Sequence, residues 1–202
     1  MQKSWEGMIL NMKNKILDAV ARLIEQYGLK KFTVDEVAAE LHISKKTLYQ
    51  YFSGKDEMIR EYFEEILGSD RQSVLDAVGS GMSFLDKIHA IVHSSHRYRL
   101  PVRIMDEAKQ FYPDEWAKIE TLKQFKLDEF QKLLKQAADE GILRPDVHFG
   151  ILSAMLERVS GMFIDTDFLL ENGMKATQAI DEVLNIIIGG IVKTEEGISW
   201  KH

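Results

Sequence analysis

The sequence has no cysteine and only three prolines in 202 residues. The absence of cysteine excludes a disulfide framework and thiol chemistry. The most apolar run, residues 186–192, is far shorter than the roughly 20 residues that span a bilayer. No long apolar segment precedes a small-residue cleavage site near the N-terminus, so we expect no signal peptide and a cytoplasmic protein. With helical spacing over most of its length, the sequence predicts an all-α fold.

The charge is unevenly distributed along the chain. The whole sequence has a net charge of −6, which alone would argue against a nucleic-acid partner. Residues 1–55, however, hold 9 basic and 6 acidic residues, whereas residues 56–202 hold 17 and 26. The basic excess is therefore confined to the N-terminal quarter, which makes that quarter the place to look for an anion-binding surface.

Residues 33–58 contain two short helical patterns separated by a tight turn. Thr33 followed by Glu36 is a capping box that begins the first helix. Its apolar stripe consists of Val34, Val37, Ala38 and Leu41. Ser44 is a good N-cap for the second helix, predicted over residues 45–52. Two such helices with this spacing predict a helix-turn-helix.

The outer face of the second helix is polar and free of acidic residues. Its side chains are Lys45, Lys46, Thr47, Tyr49 and Gln50. Lysines and helix N-terminal amides bind phosphates, and Thr or Gln can hydrogen-bond to base edges. The pattern therefore predicts binding to double-stranded DNA in the major groove. The alternative is a solvated helical hairpin with an ordinary charged face, which two lysines alone would favour.

The stretch resembles the helix-turn-helix of TetR-type (TetR/AcrR) transcriptional regulators. The residues that carry the resemblance are Phe32-Thr33-Val34, Val37-Ala38, Ile43-Ser44-Lys45, Thr47 to Phe52, and Lys55 to Met58. They cover about the first quarter of the chain. His42 stands where the family usually has glycine, at a position that we expect to need a left-handed backbone.

The resemblance implies a one-component regulator, usually a repressor, that responds to a small-molecule effector. It implies DNA contacts by Thr33, Ser44, Lys45, Lys46, Thr47, Tyr49, Gln50, Tyr51 and Lys55. By analogy with the family, Thr33, Tyr49, Tyr51 and Lys55 are expected against phosphates, and Lys45, Lys46, Thr47 and Gln50 at bases. Residues 11–54 would form the DNA-binding domain, and residues 55–202 a helical effector-binding and dimerisation domain.

Helical patterns continue through the rest of the chain. We expect a loose lead-in over residues 1–10 and a first helix over residues 11–27 ended by Gly28. After the two helices of the helix-turn-helix, we expect another helix to start at Ser53. Gly79-Ser80-Gly81 predicts a break. The remaining helices are expected from Phe84 to Pro101, from Tyr112 to about Ala138, from Asp146 to Leu170, and from Lys175 to Lys193, with residues 102–111 a short helix or loop.

The last two predicted helices are apolar over more than one face, which indicates partners on two sides. One partner is the rest of the chain, and the other is most simply the same pair of helices from a second chain. A lone recognition helix reads few bases, whereas a dimer reads two half-sites of a palindrome. The sequence thus favours a homodimer through the last two helices over a monomer that simply buries them.

Other functional constellations are weak. His89, His93 and His96 share a predicted helix face, where metal or proton binding is a minor alternative to ordinary helical histidines. No pattern indicates an enzyme or a cofactor. Large side chains could line an effector pocket or fill an ordinary core; the candidates are Met105, Phe111, Tyr112, Trp116, Phe125, Met155, Met162 and Phe163. The rival functions are a helical interaction module and a metal- or ligand-binding enzyme.

Overall fold

The computed structural model describes residues 2–93, 100–101 and 104–193, with side chains described from residue 9 onward. The described residues form an all-α protein, in which Leu143 and Val192 make an isolated antiparallel bridge. No helix among them is both long enough and apolar enough to cross a membrane. The helices are α1 Gln2–Lys31, α2 Val34–Glu40, α3 Lys45–Leu48, α4 Lys55–Gly79, α5 Phe84–Val92, α6 Met105–Phe111, α7 Pro113–Asp139, α8 Phe149–Ser160, α9 Thr166–Glu171 and α10 Ala176–Ile191.

The chain divides into two compact units, and α4 and α7 each contribute to both. The first unit comprises the described residues up to 70 and those of 95–120. In it, α1 packs against α2 and α6, and α2 packs against α3. Its fully buried large side chains include Ile16, Ile24, Leu29, Phe32, Leu48, Phe52, Met58, Ile59, Tyr62 and Phe63. This core fixes the helix-turn-helix on α1 and on the start of α4.

The second unit comprises residues 71–93 and the described residues from 121 onward. One hydrophobic cluster forms its core, with side chains from α4, α5, α7, α8 and α10. Members that are almost completely buried include Val74, Ile88, Ile91, Leu134 and Ile188. The expected break at residues 79–81 is present, since α4 ends at Gly79 and α5 begins at Phe84.

The N-terminal boundaries differ from the sequence expectation in two places. Residues 2–10 are helical rather than a loose lead-in, because this stretch has no proline and its one glycine, Gly7, is tolerated in a helix. Gly28 interrupts α1 with φ 84° and ψ 179°, as expected of a stop. α4, the helix expected to start at Ser53, begins at Lys55: the Gly54 carbonyl accepts from the Met58 amide at 3.3 Å, and the Ser53 amide donates to Glu57.

Three later boundaries also differ. α5 ends at Val92 instead of continuing to Pro101, because His93 leaves the helical conformation with φ −105° and ψ 45°. The helix expected from Asp146 to Leu170 is divided into α8, a 3-10 turn at Gly161–Ile164, and α9. Gly161 weakens the helix there, and the Asp165 carboxylate starts a new one by accepting from the Phe168 amide at 3.0 Å. α10 begins at Ala176 and ends at Ile191.

Candidate nucleic-acid interface

The start of α2 is fixed by a reciprocal pair of hydrogen bonds. The Glu36 amide donates to the Thr33 hydroxyl at 3.3 Å, and the Thr33 amide donates to the Glu36 carboxylate at 2.7 Å. This is the capping box predicted from the sequence, and Val37 and Ala38 follow it into the core. Since α2 supports α3, the capping box helps to set where the recognition helix lies.

The turn between α2 and α3 uses a left-handed residue. His42 has φ 53°, and no other described residue except glycine has a positive φ. The amide of Ile43 donates to the Ala38 carbonyl at 3.0 Å, which closes the end of α2. The sequence expectation that His42 adopts the conformation usually given to glycine is therefore confirmed.

The recognition helix α3 is shorter than residues 45–52. The Ser44 hydroxyl accepts from the Thr47 amide at 3.0 Å and so caps it as predicted. After Leu48, the amides of Gln50 and Tyr51 donate to carbonyls three residues earlier, at 3.1 and 3.0 Å. The chain therefore leaves α3 through tight turns, and buried Leu48 and Phe52 anchor both ends of this segment.

The segment displays a set of free polar side chains. Lys46, Tyr49 and Gln50 are exposed, with half of the Tyr49 side chain accessible. Among the described residues, these three side chains have no hydrogen-bond or ion-pair partner. Thr47 and Tyr51 are half-buried. A lysine, a phenol and an amide on one exposed turn can donate to phosphate oxygens and base edges.

Lys45 is engaged within the protein. Its ammonium lies 2.6 Å from the Asp35 carboxylate on α2, and both side chains are more than half exposed. An exposed pair of this kind is worth only about 0–1 kcal/mol, so DNA could compete for the lysine. The contact of Asp35 with Lys45 is not visible in the sequence, because the two residues are ten positions apart and meet only through the turn.

Lys55 is also engaged within the protein. Its ammonium donates to the carbonyls of Lys30 and Phe32, at 2.8 and 2.7 Å, and lies 4.2 Å from the centre of the Phe32 ring. Burial lowers the pKa of Lys55 below its usual value, against the opposing effect of Asp56, Glu107 and Glu36. In this arrangement Lys55 ties the α1–α2 junction to the start of α4, and its role as a phosphate contact stays a prediction.

The expected effector-pocket residues are divided between the units. Met105, Phe111, Tyr112 and Trp116 belong to the first unit, and Phe125, Met155, Met162 and Phe163 belong to the second. Cations lie over three of the rings: Lys30 over Phe111 at 3.7 Å, Lys109 over Trp116 at 5.9 Å, and Arg71 over Phe125 at 3.9 Å. Met105 is buried, whereas Met155 is exposed on α8. Their role in binding a ligand stays a prediction.

The histidine cluster is only partly described. The rings of His89 and His93 lie 4.5 Å apart, and Nε2 of His93 is 2.6 Å from the Asp181 carboxylate. His93 is the C-cap of α5, and His96 lies outside the described residues. Within the described ranges, no group of three His, Asp or Glu side chains is arranged to hold a metal ion.

Comparison with known proteins agrees with this geometry. Residues 16–62 match the family model described as bacterial regulatory proteins, tetR family. An uncharacterized HTH-type transcriptional regulator, YvaF of Bacillus subtilis, is 25% identical over 92% of this chain and 98% of its own length. The HTH-type transcriptional repressor KstR2 of Mycobacterium tuberculosis is 24% identical over 95% of this chain and 98% of its own length.

A solved structure shares the fold. The ketosteroid transcriptional regulator KstR2 of Mycobacterium tuberculosis superposes with a TM-score of 0.61 at 21% identity, over 91% of this chain and 96% of that one. The capped, positively charged helix-turn-helix lies inside the matched residues 16–62, and the similarity of fold extends over the second unit. Residues 16–62 therefore match the DNA-binding region of the tetR family of bacterial regulatory proteins, and the chain is similar over most of its length to HTH-type transcriptional regulators.

Proposed function

We propose that the protein is a ligand-responsive transcriptional repressor that binds a palindromic operator as a homodimer. The observation that carries the proposal is the display of Lys46 on α3 and of Tyr49 and Gln50 on the turns that follow it, in a segment whose capping residue and buried anchors are all in place. The match of residues 16–62 to the tetR family supports DNA as the target, and the similarity to the transcriptional repressor KstR2 supports repression as the sign of regulation. A DNA target places the protein in the cytoplasm.

The predicted contacts divide into two roles. Lys45, Lys46, Thr47 and Gln50 would contact bases, whereas Tyr49, Tyr51, Lys55 and the N-terminus of α2 at Thr33 would contact phosphates. Ser44 would support α3 through its cap and bring the α3 amides towards the backbone of the DNA. Because each half-site occupies one major groove, the two recognition helices of a dimer would be about 34–36 Å apart.

The proposed dimer interface is the pair α8 and α10. Ile151 and Met155 are 61% and 50% exposed on one face of α8, and Ile186 is 72% exposed on α10. Gly189 and Gly190 follow on the same face of α10, and a Cβ atom at either position would meet nothing within 4 Å. An apolar face with small residues beside it suits close packing against a second copy.

The effector is proposed to act by population shift. A ligand changes operator affinity only if it binds the DNA-competent and DNA-incompetent states with different affinity. The predicted pocket residues are aromatic or sulfur-containing, which suits an apolar small molecule. The relatives are regulators rather than enzymes, so we propose binding, not catalysis, as the role of any ligand.

Electrophoretic mobility shift with the DNA flanking its own coding region tests the proposal. Gln50→Ala should relax preference at one base position per half-site, since it removes a base-edge donor and acceptor. Tyr49→Phe should weaken binding to every sequence by a similar factor, because it removes only a hydroxyl expected at a phosphate. If Gln50→Ala and Tyr49→Phe changed the preference for bases in the half-site to the same extent, the assignment of Gln50 to a base and Tyr49 to a phosphate would be contradicted.

The same experiment separates the regulator from the rival functions. A protein-interaction module would show no saturable shift of this DNA at physiological salt, and its binding to any DNA would be unaffected by Gln50→Ala. Melting curves of both variants provide the folding control, since both side chains are exposed and have no partner among the described residues.

A further inference from the structure

In the first unit, α6 contacts the last turn of α1 at two places on one residue. The Lys30 amide donates to Oε2 of Glu107 at 3.0 Å, and the Lys30 ammonium lies 3.7 Å from the centre of the Phe111 ring. Glu107 and Phe111 are four positions apart on α6 and so share one face of that helix. This face lies against the segment that leads into the helix-turn-helix.

The turn that α6 contacts begins with a kink. Gly28 has φ 84° and ψ 179°, so residues 29–31 form a separate helical turn after it. The first amides of a helical turn have no acceptor within that turn, and a side-chain oxygen can supply one. A Cβ at Gly28 would lie 2.5 Å from Oε1 of Glu107, so the carboxylate sits directly against the kink. Glu107 thus caps this turn from another helix.

The same segment is held from its carbonyl side by α4. The Lys55 ammonium donates to the carbonyls of Lys30 and Phe32 at 2.8 and 2.7 Å. The side chains of Leu29 and Phe32 are almost completely buried. The segment is therefore fixed by an acceptor from α6, by a donor from α4 and by two anchors in the core.

The position of this segment decides the position of the recognition helix. Residues 32 and 33 alone connect α1 to α2, and Thr33 is the N-cap of α2. Since α2 packs against α3, a displacement of the Lys30 turn would move α3 with it. Hydrogen bonds to base edges depend on direction and distance, whereas attraction to phosphates depends mainly on charge.

We propose that Glu107 is a positioning residue for operator recognition, whose carboxylate caps the Lys30 amide and so holds the helix-turn-helix in the orientation that fits the operator. The inference rests on the proposed regulator function and names a residue that sets its operator affinity. Loss of the cap lowers the fraction of protein in the DNA-competent orientation, and the apparent affinity falls with that fraction.

Fluorescence anisotropy tests the effect on affinity, with the DNA flanking the protein's own coding region and a shuffled duplex of equal length. Glu107→Ala should weaken binding to the flanking DNA at least about five-fold. Its binding to the shuffled duplex should be unchanged or slightly tighter, because the substitution removes a negative charge. Measured below the melting temperature of every variant, a loss of stability alone would not weaken one DNA selectively.

Glu107→Gln is the conservative variant. Its amide oxygen can still accept from the Lys30 amide, although the side chain has lost its charge. It should therefore recover most of the affinity that Glu107→Ala loses. It also keeps the test open if Glu107→Ala folds poorly.

The matched control is Asp106→Ala. Asp106 is the exposed carboxylate that precedes Glu107 in the first turn of α6, and it takes no part in these contacts. The control removes the same charge one position away, and it should bind the flanking DNA within about two-fold of the wild type. An equal loss in Glu107→Ala and Asp106→Ala would assign the effect to the charge of α6 and overturn the proposal.

Hydrogen exchange of the DNA-free protein tests the positioning itself. Glu107→Ala should speed the exchange of amides in residues 29–41, which include the capped turn and α2, whereas Asp106→Ala should not. Unchanged exchange there would overturn the proposal, as would equal losses of affinity for both DNAs or full operator affinity in Glu107→Ala. If the wild type does not bind the flanking DNA, the regulator proposal fails, and the exchange measurement still decides whether Glu107 holds this segment.

Discussion

At the scale of single residues, His42 combines a side chain with a backbone conformation that favours glycine. Its φ of 53° costs an ordinary L-residue roughly 1–2 kcal/mol, and glycine would avoid this at an entropic cost of about 0.5–1 kcal/mol. His42→Gly should therefore raise the free energy of unfolding by roughly 0.5 kcal/mol, and His42→Val should lower it by more than about 1 kcal/mol. Urea denaturation measures both, and equal stability of the two variants would argue against strain at this turn.

Asp35 is the second residue with a specific expectation, because it holds Lys45 at 2.6 Å on the side proposed to face DNA. Asp35→Asn should strengthen binding to non-operator DNA by roughly two- to five-fold, since it frees one cation and removes one repulsive charge. The slope of log K against log salt should steepen by up to about one. Fluorescence anisotropy at several salt concentrations measures this change.

The matched control for Asp35 is Asp76→Asn. Asp76 is an exposed aspartate on α4, and its carboxylate accepts from the Gln72 side chain at 2.8 Å. The control should leave both affinity and slope unchanged. An identical effect of the two substitutions would mean that Asp35 acts only through the net charge of the protein.

At the scale of elements, the contact of α6 with the end of α1 depends on a missing side chain. Gly28 has φ 84° and ψ 179°, a region open essentially only to glycine, and a Cβ there would lie 2.5 Å from Oε1 of Glu107. Glu107 in turn accepts from the Lys30 amide at 3.0 Å. The two helices thus meet through backbone and carboxylate at Gly28, beside the contact of the Lys30 ammonium with the Phe111 ring.

Gly28→Ala should lower the free energy of unfolding by about 1–3 kcal/mol, from backbone strain together with the clash. Adding Glu107→Ala removes the clash but not the strain, so the double variant should be more stable than additivity of the two single variants predicts. Chemical denaturation of the wild type, the two single variants and the double variant gives the four free energies of unfolding of this double-mutant cycle. If the changes caused by the two single substitutions simply add, the Glu107 side chain moves aside without cost.

Sequence reasoning succeeded at this scale where the signals are local. The capping box at Thr33, the Ser44 cap and the stop at Gly28 each depend on residues within four positions, so their patterns are visible in the sequence. The carbonyl contacts of Lys55 join residues 23 and 25 positions apart, and Glu107 is 77 positions from Lys30. Such contacts exist only after folding, which is why sequence analysis assigned Lys55 to phosphate alone.

At the scale of the whole molecule, the proposed dimer is the feature on which reading of a palindromic operator would depend. Ile151→Glu and Ile186→Glu each place a charge on an apolar face proposed to be buried by a second copy. Each should raise the dimer dissociation constant at least about ten-fold, which corresponds to roughly 1.4 kcal/mol. Sedimentation velocity measures the change, and binding to a palindromic operator should weaken in parallel.

Met82→Glu is the control for the dimer variants. Met82 is similarly exposed, but it lies in the connection that follows α4 rather than on α8 or α10. It should leave the sedimentation coefficient unchanged. If the Ile151 and Ile186 variants remain dimers at the concentration at which the wild type is a dimer, the interface lies elsewhere on the chain. If the wild-type protein is a monomer, the proposed interface does not exist.

The tethering of Lys55 bears on how the protein would behave as ionic strength varies. Of the three lysines expected at DNA, one donates to backbone carbonyls and one is neutralised by an aspartate, so Lys46 alone is unengaged. Fewer counterions would then leave the duplex on association than the lysine count implies. Operator occupancy should accordingly tolerate osmotic and saline stress, with neutral donors such as Tyr49 and Gln50 supplying a large share of the attraction.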